Sequence, residues 1–243
     1  MAKIVLVGSG RVAWHLGNRL KAKGFPVAQV LSRNPEHAQA LGEALQTTWS
    51  GKWSDVLPEA DWLLLAVRDD AIGEVAAQLA GLVPGALATH TSGATPAAVL
   101  APHFKRYGVF YPLQTFSLER KPVWSKIPFC VDASTAQDIS FLEKTASKIG
   151  HRVYRVDDAQ RAQLHVAAVF ANNFANHCFA IAEKILREKD LPFELLHPLM
   201  EETLAKALQN SPADVQTGPA ARGDAETMKR HLVLLEQHPA WQD

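Results

Sequence analysis

The residues with the clearest chemistry stand near the start of the chain, where Ile4-Val5-Leu6-Val7 runs into Gly8-Ser9-Gly10-Arg11-Val12-Ala13. A short apolar run, then GxGxxA, then a helix-forming stretch is the pattern that receives the pyrophosphate of a dinucleotide. Gly8 permits the tight turn, Gly10 lets the main chain approach the phosphates, and Ala13 is small enough for helix and strand to pack. The backbone N–H groups of Ser9, Arg11 and Val12 then stand at a helix N-terminus, whose partial positive charge favours anions. A second apolar run, Val27 to Leu31, ends at Ser32-Arg33-Asn34. An acid there would accept from the ribose 2′-hydroxyl of NAD. Ser32 and Arg33 suit a 2′-phosphate instead, so the pattern predicts NADP.

Further candidates follow the other apolar runs, because ligands of open α/β sheets sit beyond the strand C-termini. Val67 and Arg68 are expected beside the cofactor ribose, with Asp70 capping the next helix. His90 and Ser92, in Thr89-His90-Thr91-Ser92-Gly93-Ala94, are expected near the nicotinamide. Ser92 is a candidate both for catalysis and for cofactor binding, and the hydroxyls have turn formation as the alternative role. Gln114 and Thr115 are candidates for substrate contact. Farther on, His165, Asn172 and Asn176 fall within about 20° of one line at 100° per residue, with Asn173 about 80° round. One polar stripe thus crosses an otherwise apolar helix and must face a partner network or a ligand. Within it His165 is the titratable group suited to proton transfer near neutrality, Asn173 a catalytic candidate and Asn172 a substrate contact. Arg222 has the fork to clamp a carboxylate or phosphate, and Asp224 to cap the last helix. Cys130 and Cys178 are isolated and read as small buried hydrophobes, so no metal site or disulfide is expected.

The elements that must position these groups change character along the chain. Through residue 131, short runs (Ile4–Val7, Val27–Leu31, Trp62–Val67, Leu87–Thr91, Val109–Tyr111 and Phe129–Val131) alternate with helical stretches, which predicts a parallel sheet covered on both faces. The last strand-like residues, His151–Val156, meet a helix-capping pair, Asp157-Asp158, and residues 158–189, 193–209 and 224–237 then read as helices. The expected organisation is an α/β Rossmann domain over residues 1–154 and an all-helical substrate and dimerisation domain over 155–243. Balanced charge, 25 Lys and Arg against 25 Asp and Glu, argues against a nucleic-acid partner. The longest apolar runs fall far short of the roughly 20 residues of a membrane span, and with no signal-peptide pattern the chain reads as cytoplasmic.

Val67-Arg68-Asp69-Asp70-Ala71-Ile72, His90-Thr91-Ser92-Gly93-Ala94, Tyr111-Pro112-Leu113-Gln114-Thr115-Phe116 and Thr217-Gly218-Pro219-Ala220-Ala221-Arg222-Gly223-Asp224 together resemble a bacterial group of Rossmann-like NADP oxidoreductases. The group is related to coenzyme-F420-type NADP reductases, to pyrroline-5-carboxylate reductase and to the β-hydroxyacid and 6-phosphogluconate dehydrogenase superfamily. The resemblance implies hydride transfer between NADP and a small-molecule substrate in a cleft between the domains, and a helical domain that forms a homodimer. His90 and Ser92 would line one side of that cleft, and His165, Asn173 and Arg222 the other. Two departures stand out. Tyr111 occupies a position where the resemblance suggests His, and no Lys lies between Lys148 and Lys184, where the superfamily has a catalytic Lys. His165 is the replacement in the enzymatic case; the alternative is a catalytically silent NADP-binding regulator or sensor.

Overall fold

The computed structural model describes residues 2–241. It divides into two compact units, one ending at Ala167 and one beginning at Ala168. The first is built on an eight-stranded sheet of order β3-β2-β1-β4-β5-β6-β7-β8. Its strands are β1 (Ile4–Val7), β2 (Val27–Leu31), β3 (Thr48–Ser50), β4 (Trp62–Leu65), β5 (Leu87–His90), β6 (Arg106–Pro112), β7 (Phe129–Ala133) and β8 (Val153–Arg155). Neighbouring strands are parallel except at β6 and β7, which pair antiparallel. The wholly parallel sheet expected from the apolar runs is thereby corrected. The link from Leu113 to Pro128 carries one 3-10 turn, Trp124–Lys126, and no crossover helix. A parallel return needs such a crossover, so the chain comes back antiparallel.

Alternate strand residues supply two cores. Ile4, Leu6, Val30, Trp62, Leu64, Phe110 and Phe129 pack with residues of α1 (Arg11–Ala22), α2 (Pro35–Leu45) and α4 (Ala136–Ile149). On the opposite face Val5, Val7, Leu63, Leu65 and Ala88 meet Ile72, Val75, Ala76 and Leu79 of α3 (Ile72–Ala80). Each such side chain contributes about 1.5–3 kcal/mol, so the edge of the sheet bearing the C-termini of β1, β4, β5 and β6 is rigidly backed.

The helix α5 (Asp158–Ala168) closes the first unit, passes into a π-helical stretch, Val169–Phe174, and continues as α6 (Ala175–Arg187). Further helices are α7 (His197–Gln209), α8 (Pro219–Arg222) and α9 (Ala225–Leu234). The second unit is all-helical as expected, yet no described residue after Arg161 is fully buried. Phe170, Phe174, Leu195, Leu199, Leu204 and Leu208 are all at least half exposed. No helix among the described residues is long and apolar enough to cross a membrane.

Candidate active site

The glycine loop is shaped by what its neighbours leave open. Gly8 has φ +112°, and a Cβ there would lie 2.3 Å from the Ala66 carbonyl oxygen, so only glycine fits between β1 and the end of β4. A Cβ on Gly10 would meet no protein atom within 4 Å. Gly10 precedes α1, no side chain caps that helix, and its first turn carries no acid. Its N–H groups are therefore free for an anion. Ser9 and Ser32 join their hydroxyls at 2.7 Å, which ties the loop to the tip of β2. Arg33 beside them is exposed, and Asn34 accepts from His37 N at 3.0 Å to cap α2. Of the ribose candidates, Val67 lies against Gly8, while Arg68 is exposed and forms a bidentate pair with Asp70. The expected capping role of Asp70 is corrected by this pair: Asp69–Ala71 form a 3-10 turn before α3, with no side-chain cap.

A buried polar cluster stands beyond β5 and β6. His90 is fully buried at the end of β5, and its Nδ1 accepts from Ser92 N at 3.2 Å. The ring proton is therefore on Nε2. Burial first, and then the nearby Arg161 cation, lower the His90 pKa to about 4, so the ring is neutral at neutral pH. Ser92 Oγ accepts from Ala94 N and Thr95 N and bonds to Thr95 Oγ1, so this hydroxyl holds the turn. The turn leaves Gly93 against two rings. A Cβ there would fall 2.6 Å from His165 Nδ1 and 2.9 Å from Tyr111 Oη. His165 and Tyr111 are both half-buried, with ring centroids 6.4 Å apart. Burial, followed by the influence of Cys130 and Asp69, raises the Tyr111 phenol above its ordinary pKa. Burial also keeps the Cys130 thiol protonated beyond its usual range.

Arg161 is the residue that inspection of the sequence passed over. It is 1% exposed, and its Nη2 donates to Thr95 O at 2.6 Å and to Asp158 Oδ1 at 2.7 Å. Asp158 in turn accepts from Ala97 N. Burial pulls the Asp158 carboxyl upward, but the Ala97 N–H and Arg161 outweigh it and hold it below its ordinary pKa. Of the expected capping pair, Asp157 alone caps α5, exchanging bonds with Gln160, and Asp158 turns to Arg161. The spacing i, i+3, i+7 of Asp158, Arg161 and His165 places them on one helix face, and that was the signal available in the sequence.

The remaining candidates lie apart from these contacts. Gln114 is exposed in the loop after β6, and its Oε1 accepts from Thr115 N. Asn172 and Asn173 are exposed in the π-helical stretch, joined by a 3.4 Å contact. The wider i→i+5 turns of that stretch break the uniform 100° step on which the single polar stripe was drawn. Arg222 is exposed at the end of α8, and Asp224 caps α9 as expected, accepting from Thr227 N. Cys130 is buried as expected; Cys178 is exposed on α6, a correction that follows from the absence of a closed core in the second unit.

Residues 3–88 match the family model described as NADP oxidoreductase coenzyme F420-dependent, and residues 127–243 match a domain of unknown function, DUF2520. No curated protein matches the chain. Among solved structures, a Bacteroides fragilis protein provisionally named as an NADP oxidoreductase is 39% identical, with a TM-score of 0.93 over 99% of this chain and 93% of that one. A Thermotoga maritima protein is similar at 20% identity, TM-score 0.72, over 98% of this chain and 91% of its own. Pyrroline-5-carboxylate reductase of Coxiella burnetii is similar at 14% identity, TM-score 0.65, over 97% and 94%. The last two likenesses show the fold alone. The first spans nearly the whole of both chains, and this protein belongs to the family of the Bacteroides fragilis protein.

Proposed function

We propose that the protein is an NADP-dependent oxidoreductase acting on a small polar substrate. The observation that carries this is the open face of Gly10 at the uncapped N-terminus of α1, a cradle that any side chain would fill. Gly8, Ser9, Gly10, Arg11 and Val12 hold the pyrophosphate, Ser32 and Arg33 the 2′-phosphate, and Val67 and Arg68 border the ribose. Bound NADP supplies the hydride chemistry. His165 gives or takes the proton, and Ser92 holds the turn that sets Gly93 against it. Asn172, Asn173, Gln114 and Arg222 are assigned to substrate and catalytic contacts on their side-chain chemistry. The provisional name of the Bacteroides fragilis relative supports the choice of cofactor. Two copies pair through the second unit, which exposes its apolar side chains in a single chain.

Titration of NADPH and NADH by fluorescence, against wild type and Arg33→Ala, tests the cofactor. Loss of a charge-assisted contact of about 1.5–3 kcal/mol weakens NADPH by roughly 10- to 150-fold, and equal affinity for both cofactors in the wild type overturns the preference. The missing Lys between Lys148 and Lys184 favours a second reading, a catalytically silent NADP sensor. Cofactor binding with no turnover of imines by NADPH, or of β-hydroxy acids and reduced deazaflavin by NADP+, supports the sensor.

A further inference from the structure

Among the described residues, four buried side-chain nitrogens have no hydrogen-bond partner: His90 Nε2, Arg161 Nε, Arg161 Nη1 and His165 Nδ1. They belong to one cluster. His165 lies one helical turn after Arg161 on α5, Arg161 Nη2 donates to Thr95 O in the turn held by Ser92, Ser92 N donates to His90, and Gly93 of the same turn lies against His165. Native interiors pair their buried polar groups, so the two orphaned donors of Arg161 mark a position completed by something else. His90, with its Nδ1 accepting from Ser92 N, turns its Nε2 proton toward the Pro96 carbonyl, whereas Arg161 can only donate and keeps Nε and Nη1 unmatched. The missing partner is therefore an acceptor.

Its charge follows from the surroundings. The Arg161 cation is already matched by Asp158 at 2.7 Å. His90 is neutral, and Asp132 and Asp69 add negative charge to the same neighbourhood. A carboxylate entering here would lose its hydration without gaining an unshared cation. An uncharged oxygen would satisfy the donors and add no charge.

We infer that the cluster receives an uncharged acceptor oxygen of the substrate, a carbonyl, on the free Nε–H and Nη1–H groups of Arg161. The identity of the occupant rests on the oxidoreductase reading; the demand for a neutral acceptor rests on the orphaned donors alone. Half-buried Tyr111 and His165 form the part of the cluster that solvent reaches. The proposed proton carrier, His165, follows Arg161 by one turn on the same face of α5.

The test uses full-length protein labelled with 15N-arginine, in which the Nε–H signal of Arg161 is assigned by its loss in Arg161→Lys. Acetone is the neutral probe and acetate, at matched ionic strength, the charged one. The Arg161 signal is expected to shift saturably with acetone in the millimolar range, and acetate to bind about tenfold more weakly or not at all. In Asp158→Asn, which frees the cation of its partner, acetate should gain about tenfold. Where Arg161→Lys fails to fold, the resonance is assigned by its shift in Asp158→Asn, which removes the carboxylate paired with Arg161. Preference for acetate in the wild type, response to neither probe, or no gain in Asp158→Asn overturns the inference. NADPH binding is measured on the same samples. NADPH binding without an acetone response removes this inference and leaves the cofactor reading, and the converse removes the cofactor reading and leaves the inference.

Discussion

Gly93→Ala tests whether His165 and Tyr111 are held where the structure places them. The backbone at Gly93 lies outside the left-handed region, so alanine adds no conformational strain and the effect is purely one of space. The new Cβ would stand 2.6 Å from His165 Nδ1, 2.8 Å from Tyr111 Cζ and 2.9 Å from Tyr111 Oη. Comfortable contact begins at about 3.5 Å, so the His165 ring must retreat by about 0.9 Å. Overpacking of this kind costs about 1–3 kcal/mol. For a domain of this size that lowers the melting temperature by roughly 2–12 °C. The melt is followed by circular dichroism in wild type, Gly93→Ala, Tyr111→Ala and the double variant. Removing the phenol gives the new methyl room, so the two changes together should fall short of their sum by about 0.5–3 kcal/mol. Because a displacement near 1 Å can cost about 10²-fold in rate, turnover, once a substrate is found, should fall in Gly93→Ala while NADPH affinity holds. A Gly93→Ala melt within about 0.5 kcal/mol of wild type, or strict additivity with Tyr111→Ala, would refute the packing of both rings on this loop.

Gly8→Ala should abolish NADPH binding and cost about 1–3 kcal/mol or more, since it combines φ +112° with a 2.3 Å approach to the Ala66 carbonyl; calorimetry and fluorescence titration check it. His165→Gln should keep the fold and NADPH affinity but lose about 10²–10⁴ in turnover. Fully buried His90, with its folded pKa lowered to about 4 from 6.5, binds fewer protons folded than unfolded between those values. Its contribution is complete above pH 6.5 and is lost as pH falls toward 4, by about 3 kcal/mol. Urea melts across that window should show the loss, and His90→Gln should flatten it. Light scattering should report twice 26.6 kDa; the monomer mass across a wide concentration range would contradict the pairing of two copies.

The strands that pack on both faces were legible because they read as apolar runs: β1 is wholly apolar, β2 is apolar except for Gln29, and both begin and end where hydrophobicity places them. Thr48-Trp49-Ser50 gave no such signal, since β3 is a short outer strand with little buried surface. The full length of β6 was hidden for another reason. Arg106 and Gly108 do not look like strand residues, yet Arg106 pairs with Asp138 at the foot of α4, and a Cβ on Gly108 would fall 2.1 Å from the Asp132 carbonyl across the antiparallel pair. Those are tertiary requirements, and no local propensity encodes them.

For the site, residue type and residue phase separate. His90 and His165 declare themselves because an imidazole on an apolar element is rare chemistry, and both fall in the buried cluster. Arg161 did not, because an arginine early in an amphipathic helix ordinarily faces solvent. Only the choice between Asp157 and Asp158 reveals otherwise. Asp157 satisfies the helix end, which releases Asp158 to fix an arginine inward. The helical phase from Asp158 through Arg161 to His165 holds because α5 is regular there. It fails beyond Ala168, where Val169–Phe174 widen into π turns. A period can be counted from sequence as long as it is constant. The change of period, which decides where Asn172 and Asn173 point, depends on i→i+5 bonding that no spacing of side chains announces. The three α5 residues therefore enter the proposed site with a geometric warrant, and the two asparagines enter it through their amides alone.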